Sequence, residues 1–546
     1  MSRPVSRPVS RAVSRAVSVA VRRRTILTAL TLVVLTVAIP LPARAAAAST
    51  PRSDHRRANV LFVLADDLDL AEMRYLPHVQ SLIAHQGTTF DQYLVSNSLC
   101  CPSRTTTLRG QYAHNTGVWT NGGDNGGFER AHANGVEQDT VATRLHHAGY
   151  TTGLAGKYLN GYPNGASPDD VPPGWDDWAS AVYGHPYSEY GYVLNQNQAY
   201  HVYRHRPRDY GTDVYVGLTD HFIRGAARAH RPFFAYLSVY APHQPATPAR
   251  VDRRRFPHAQ APRTPSFDQA DVSRSPSYVR DLPQFDAAET RAIDVLYRKR
   301  IRSLQAVDRG VERLVRTLRA TNQLDNTYIV FASDNGFHLG QHRMPAGKQT
   351  PYETDVHVPL VVRGPGVRAG AHVERVAGNT DLAPTFEAMA GVRAPSFTDG
   401  RSLLPLLRGD RPSHWRRSYL LEHRVETGTT QPARAMPPRG STLEPPDPDQ
   451  DGPDGRPRHR EIRDAMLLNR GAEIPDYDGI RTSRWTDVRY ANGEHELYDL
   501  RHDPDELHNL AGTRPAVERV LAERIARLRR CGGQGCRQVE DAAVPG

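Results

Sequence analysis

From Ala58 onward, short apolar runs of strand length alternate with amphipathic segments of helical spacing. That alternation predicts an α/β domain whose largely parallel sheet is buried on both faces. Residues 59–65, 233–240, 327–333 and 356–362 read as strands. Residues 140–147 and 290–318 read as helices, the second carrying Ile301, Leu304, Val311, Leu314 and Leu318 along one face, and Gly149 fits a helix stop.

The strand ends carry the chemistry. The first predicted strand runs into Asp66-Asp67, the second into Ala241-Pro242-His243 and the third into Asp334-Asn335-Gly336. In open α/β sheets the carboxyl edge is where ligands bind, because loops converge there on a rigid support. Asp66, Asp67, Asp334 and Asn335 offer hard oxygen donors without thiolate or imidazole, a set that suits Ca²⁺, or Mg²⁺ as the alternative, rather than Zn²⁺. Either pair alone is more commonly a turn or a helix cap, so the inference rests on their conjunction.

Length and charge bound the rest. At 546 residues the chain has room for one large core and a smaller unit. The formal charge of +10 suggests a polyanion partner, yet all eight charged residues before Ala46 are arginines, and removing them leaves 10 − 8 = +2. No basic tract or stacking aromatic series then argues for nucleic acid. Those arginines flank an apolar run, residues 26–41, too short for stable membrane insertion and followed by Ala43-Arg44-Ala45-Ala46, so residues 1–45 read as a signal peptide and 46–57 as a linker. The order Arg23-Arg24-Thr25 loosely resembles a twin-arginine signal, an ordinary secretory signal being the alternative. Both readings involve export machinery and a secreted protein.

Residues 58–410 read as the catalytic domain and 411–540 as an antiparallel subdomain, with a Pro-, Gly- and Asp-rich disordered insertion at 424–476. Within the subdomain, residues 479–499 surround the hairpin signal Asn492-Gly493, and residues 516–528 read as a closing helix. Cys531 and Cys536 suit a small disulfide in an oxidising compartment, whereas Cys100 and Cys101 are adjacent, where disulfide geometry is strained. Among 69 basic residues only Lys157, Lys299 and Lys348 are lysines. A lysine kept in such a chain points to a need for a compact ammonium; Lys299, inside Arg298-Lys299-Arg300, reads as chance.

The segment Ser98-Leu99-Cys100-Cys101-Pro102-Ser103-Arg104, ending in Leu108-Arg109-Gly110, resembles the sulfatase signature C-x-P-S-R. Gly149 to Leu159, with Gly156-Lys157-Tyr158, resembles the second sulfatase signature, and Tyr240 to His243 and Gly347 to Glu353 match further family positions. The resemblance extends to Thr380-Asp381-Leu382-Ala383-Pro384-Thr385 and to Leu497-Tyr498-Asp499-Leu500 with Asp503-Pro504. Thr107, Gln111 and Leu159 depart from the usual pattern, and Leu159-Asn160 after Lys157 is similar to the branch of N-acetylglucosamine-6-sulfatases and extracellular endosulfatases.

That resemblance implies an alkaline-phosphatase-like fold with a mixed sheet. It implies that a formylglycine-generating enzyme converts Cys100 to formylglycine, and that Asp66, Asp67, Cys100, Asp334 and Asn335 hold a divalent metal. Arg104, Lys157, His243 and Lys348 then surround the sulfate, with His243 either protonating the leaving oxygen or only binding sulfate. One hydroxyl of the formylglycine hydrate displaces the alcohol from sulfur, and the other expels sulfate from the resulting ester. The implied substrates are sulfated carbohydrates, such as N-acetylglucosamine 6-sulfate, or aryl sulfates. The alternatives are a phosphate or phosphonate monoester hydrolase and, with Cys100 unmodified, a noncatalytic sulfated-glycan binding protein. His114 and His338 are candidate pocket residues, equally readable as ordinary structural histidines.

Overall fold

A computed structural model describes residues 57–428 and 473–545. The expected signal peptide, the linker up to residue 56 and residues 429–472 of the expected insertion lie outside the described residues. Among the described residues no helix is long and apolar enough to cross a membrane.

The molecule is organised around a ten-stranded sheet. Its centre consists of β1 (Asn59–Asp66), β2 (Thr151–Gly156), β3 (Phe233–Pro242) and β4 (Thr327–Ser333), in the spatial order β4-β1-β3-β2 and all parallel. Beyond β4 come β5 (Leu360–Arg363), Thr88–Phe90 and Ala371–Val373; beyond β2 come Asp177–Gly184, Tyr192–Gln196 and Ala199–Tyr203. Antiparallel pairing enters at both flanks, so the sheet is mixed and alkaline-phosphatase-like, as the family resemblance implied.

Of the central strands, β1, β3 and β4 read as largely apolar runs because both faces are covered, whereas β2, with two threonines and two glycines in six residues, does not. On β1, Val60, Phe62 and Leu64 enter one core while Leu61, Val63 and Ala65 enter the other, the period-two alternation of a strand. Each such side chain contributes ~1.5–3 kcal/mol by leaving water.

Two helices matter for the site. Helix α1 (Cys100–Arg109) is closed by Gly110 at φ +76, and α2 (Ala287–Ala320) starts at a capping box between Asp286 and Glu289 and buries Leu304, Val311, Leu314 and Leu318. The predicted helix at 140–147 is observed over Val141–His147 with Thr140 as its N-cap. One expectation is corrected. Residues 356–362 are not a single strand, since Glu353–Val356 is a helical turn and β5 begins at Leu360. Pro359 lacks the N–H a ladder requires, so pairing within the main sheet starts only after it, while His357 and Val358 before it pair with Tyr93 and Leu94 instead.

A four-stranded antiparallel sheet follows, in the order Ser418–His423, Tyr477–Thr482, Trp485–Tyr490 and His495–Asp499. The Asn492-Gly493 turn reverses the chain where expected, with Gly493 at φ +90. The closing helix spans Pro515–Leu528, and Cys531 and Cys536 form a disulfide. This sheet touches the loop that carries Lys348, because the Tyr477 hydroxyl donates to the Gln349 carbonyl at 3.0 Å.

Candidate functional site at the carboxyl edge of the sheet

Cys100 is the first residue of α1, and the segment before it is pinned to the Lys348 loop. Gln349 N–H donates to the Ser98 carbonyl at 3.1 Å, and the Ser98 hydroxyl donates to the Thr350 carbonyl at 2.9 Å. These bonds bring Lys348 Nζ to 2.7 Å from Cys100 Sγ and 2.8 Å from Asp67 Oδ1. The thiol also lies 3.3 Å from Asp66 Oδ1, and all four groups are buried.

Lys157 arrives from β2. Gly156, at φ +117, lies so close to β3 that a Cβ would meet the Ser238 carbonyl oxygen at 1.7 Å, so only glycine fits there. That close approach delivers Lys157 Nζ to 2.8 Å from Asp66 Oδ2. Arg104, on the second turn of α1, donates through Nε to Asp334 Oδ2 at 2.7 Å and through Nη1 to Ser238 Oγ at 2.6 Å. Its Nη2 is buried without a hydrogen bond, 3.7 Å from Asp66 Oδ1.

Asp334 Oδ1 accepts the backbone N–H groups of Asp67 at 3.1 Å and Asn335 at 2.8 Å. Asn335 Nδ2 donates to Asp67 Oδ1 at 2.7 Å, while its Oδ1 is buried with no hydrogen-bond partner. Ser103 donates its hydroxyl to the Asp334 carbonyl, tying α1 to the end of β4.

His243 follows β3, with Nε2 3.7 Å from Asp67 Oδ2 and Nδ1 2.7 Å from the Gln244 carbonyl. Only a protonated Nδ1 can donate to that carbonyl, which leaves Nε2 facing the site. The Tyr187 ring packs 4.5 Å from the His243 ring and 4.8 Å from Lys157 Nζ, and Asn160 Nδ2 donates to its hydroxyl at 3.2 Å.

The electrostatics follow from dense packing of opposite charges. Burial raises the Asp66 carboxyl, but Lys157, His243, Arg104 and Lys348 together hold it well below the usual carboxylate range. Burial pushes Asp334 up to about 6, with Arg104 opposing and Asp66 reinforcing. Arg104 loses solvation, which lowers it, but Asp334 and Asp66 carry it above its ordinary value. Cys101 next door is an inert thiol pushed up to about 12 by burial, and both Cys100 and Cys101 are free of disulfides.

The donor chemistry fits a hard divalent cation. Ligand atoms of Asp66, Asp67, Cys100 and His243 lie within 4.8 Å of one another. The orphaned Asn335 oxygen, buried and aimed at no donor, is what an amide ligand looks like beside two carboxylates. Asp334 stands one step away, its carboxylate engaged by Arg104 and two backbone amides.

All of Asp66, Asp67, Cys100, Arg104, Lys157, His243, Asp334, Asn335 and Lys348 therefore converge. His114 does not, since it bridges Glu422 at 2.8 Å and the Cys531 carbonyl at 3.0 Å. His338 sits behind the Lys348 loop, its Nδ1 3.1 Å from both Asp355 oxygens. One positioning residue on a helix escaped the sequence reading. Arg300 on α2 donates to the Asp67 carbonyl at 2.6 Å and to both Glu72 oxygens at 2.8 and 2.7 Å. Asp67 stands at φ +65, a conformation Asp tolerates when its surroundings hold it, and Arg300 is part of that hold. The available signal was an arginine in register with the apolar stripe of a helix, between Leu296 and Leu304.

Fold and site define a class: an alkaline-phosphatase-like α/β protein with a buried thiol at the centre of an oxygen-rich, cation-lined cluster. A family model described as Sulfatase matches residues 58–392. The chain is 32% identical over 499 residues to the N-acetylglucosamine-6-sulfatase of Homo sapiens, covering 88% of this chain and 86% of that protein. It is 36% identical over 374 residues to the extracellular sulfatase SULF-1 homolog of Drosophila melanogaster, covering 67% of this chain and 33% of the other. It thus spans about a third of that relative's length and about half that of a Caenorhabditis elegans counterpart. A solved structure of a protein bound to its substrate D-glucosamine-2-N,6-O-disulfate shares the fold, with a TM-score of 0.67 at 22% identity over 89% of this chain and 99% of that one. The chain belongs to the sulfatase family.

Proposed function

We propose that this protein is an exported sulfuric ester hydrolase acting on sulfated sugars such as N-acetylglucosamine 6-sulfate. The observation that carries the reading is the placement of Cys100 Sγ 2.7 Å from Lys348 Nζ and 3.3 Å from Asp66, with Arg104 and Lys157 around the same carboxylate. The sulfated-sugar substrates named for its relatives, and the extracellular relatives among them, support substrate class and export. Aryl sulfates are accepted by the same chemistry.

Position 100 supplies the nucleophile once the thiol has become formylglycine, whose hydrated form offers hydroxyls in place of sulfur. Asp66, Asp67, Asn335 and Asp334, together with the position-100 oxygen, would hold a divalent cation, Ca²⁺ or Mg²⁺, which would supply Lewis-acid polarisation and lower the pKa of a hydroxyl beside it.

The chain's own cations do the remaining work. Arg104, with its free Nη2, and Lys157 and Lys348, buried beside the carboxylates, are preorganised donors for the charge that grows on sulfate oxygens, each worth roughly 10²–10³ in rate. With its Nδ1 proton held by the Gln244 carbonyl, His243 is oriented to keep a proton at Nε2 for the leaving oxygen or to bind sulfate through it. Burial excludes water and strengthens each of these contacts.

Peptide mass spectrometry on the natively exported protein tests the reading. A loss of about 18 Da at Cys100 is expected from conversion of thiol to aldehyde. Paired sulfate and phosphate esters of one alcohol then separate the alternatives, with sulfate expected to be the faster. Unmodified cysteine despite a competent maturation enzyme would leave only the binding-protein reading, and faster phosphate or phosphonate turnover would favour that hydrolase class.

A further inference from the structure

Two arginine-bearing segments that are distant in sequence meet beside the candidate site. The outermost strand of the main sheet, Ala199–Tyr203, is followed by Arg204, His205, Arg206, Pro207 and Arg208, all exposed. Beyond His243 the chain reaches Arg250, Arg253 and Arg254, also exposed.

A small apolar cluster joins the two. Tyr210, Ala249 and Ala306 pack together with Tyr190 against them, and Arg250 directly follows Ala249. The Tyr210 hydroxyl donates to the Thr247 carbonyl at 2.8 Å, and the Tyr190 ring lies 5.5 Å from that of Tyr210 and 6.3 Å from that of His205. Gly191 N–H donates to the Arg204 carbonyl at 3.1 Å. Burial raises the Tyr190 phenol, and Arg253 and Arg250 are close enough to oppose that.

The positive charge is only partly offset locally, since Glu189 and Asp213 act on Tyr190 more weakly than Arg253 and Arg250 do. Asp209 turns its carboxylate onto the backbone N–H groups of Arg204 and Arg206 at 3.2 and 3.1 Å. Asp252 is buried and taken by Arg309 at 2.7 Å. Among the described residues none of Arg204, Arg206, Arg208, Arg250, Arg253 and Arg254 has a carboxylate within ion-pair distance. The surface also borders the pocket, because Tyr187, which covers Lys157 and His243, precedes Tyr190 by three residues, a span of at most about 11 Å.

We propose that this arginine surface is a docking site for a sulfated polysaccharide, holding the chain whose sulfate ester enters the pocket. The proposal rests on the function proposed above and narrows its substrate from a sulfated sugar to a sulfated polymer. Guanidinium forks match the oxygen geometry of sulfate as they do phosphate and carboxylate, and side chains within about one Debye length of a polyanion act on it together. The net charge of the exported chain hides this surface, because it is the fold that gathers the arginines.

The test uses the mature exported protein, an Arg204→Ser/Arg206→Ser/Arg250→Ser/Arg253→Ser variant, and an Arg228→Ser/Arg319→Ser control carrying exposed arginines at the opposite edge of the sheet. Heparin binding is measured across a salt series, with duplex DNA as competitor, alongside turnover of a small aryl sulfate. The quadruple variant is expected to bind heparin about tenfold or more weakly at low salt, with the control unchanged. Aryl sulfate kcat/KM is expected to stay at the wild-type value in all three, which also reports correct folding. Wild-type heparin affinity in the quadruple variant overturns the proposal, as does DNA competing as tightly as heparin. If no protein hydrolyses the aryl sulfate while the heparin difference persists, the docking site stands and the hydrolase reading falls.

Discussion

Lysine is kept at Lys157 and Lys348 in a chain that has only one other lysine, Lys299, and the geometry supplies a reason. Each ammonium fits within 2.8 Å of one carboxylate oxygen in a buried site, where a planar guanidinium would need more room and more acceptors. Lys157→Arg and Lys348→Arg are each expected to lower kcat roughly 10²–10³-fold. Thermal unfolding should shift far less than activity, and comparison of the two readouts checks this. Arg300 illustrates a different residue-level role. Removing it as Arg300→Met leaves the Glu72 carboxyl buried without its partner, at a cost of about 3–5 kcal/mol in denaturant unfolding. The double variant Arg300→Met/Glu72→Met should recover most of that stability but not the activity, because the Asp67 carbonyl stays unheld.

Between elements, the helical turn Ala113–Thr116 is linked to the strand Ser418–His423 and to the disulfide through one histidine. Burial lowers His114, but Glu422 outweighs it and pushes the imidazole up to about 9. The folded value lies above the unfolded one, so the stabilisation is fully present below about pH 6.5 and fades as pH rises through about 9, on the order of 2–3 kcal/mol in all. His114→Gln is expected to flatten that part of the stability–pH curve, read as the difference from wild type, since other buried groups titrate in the same window. At the same junction, Cys531→Ser/Cys536→Ser opens a short loop whose closure contributes about 2 kcal/mol by chain entropy, and denaturant unfolding should report a loss of that size.

Over the whole molecule, the ends of β1 and β4 bring the carboxylates of Asp66, Asp67 and Asp334 to one point, and a cation held there would relieve their mutual repulsion. Exhaustive chelation is expected to lower both activity and melting temperature, with Ca²⁺ or Mg²⁺ restoring both. An unchanged melting temperature and full activity after chelation would remove the metal from the proposal. Much of this architecture was legible in the chain. Three doubly buried strands announce themselves as apolar runs, and those three end on residues that the fold brings together: Asp66-Asp67, His243 and Asp334-Asn335. The Asn492-Gly493 turn and the Cys531–Cys536 pair were legible because their physics is local. The limit of β5 was misread where Pro359 removed a donor, a backbone effect the hydrophobic pattern cannot register. The hold of Arg300 on Asp67, the cover of Tyr187 over Lys157 and the joining of the Arg204 and Arg250 segments through Tyr190 and Tyr210 were decided only by the tertiary structure. Those contacts join residues far apart in sequence, and what they do depends on distance and burial, which no one-dimensional pattern carries.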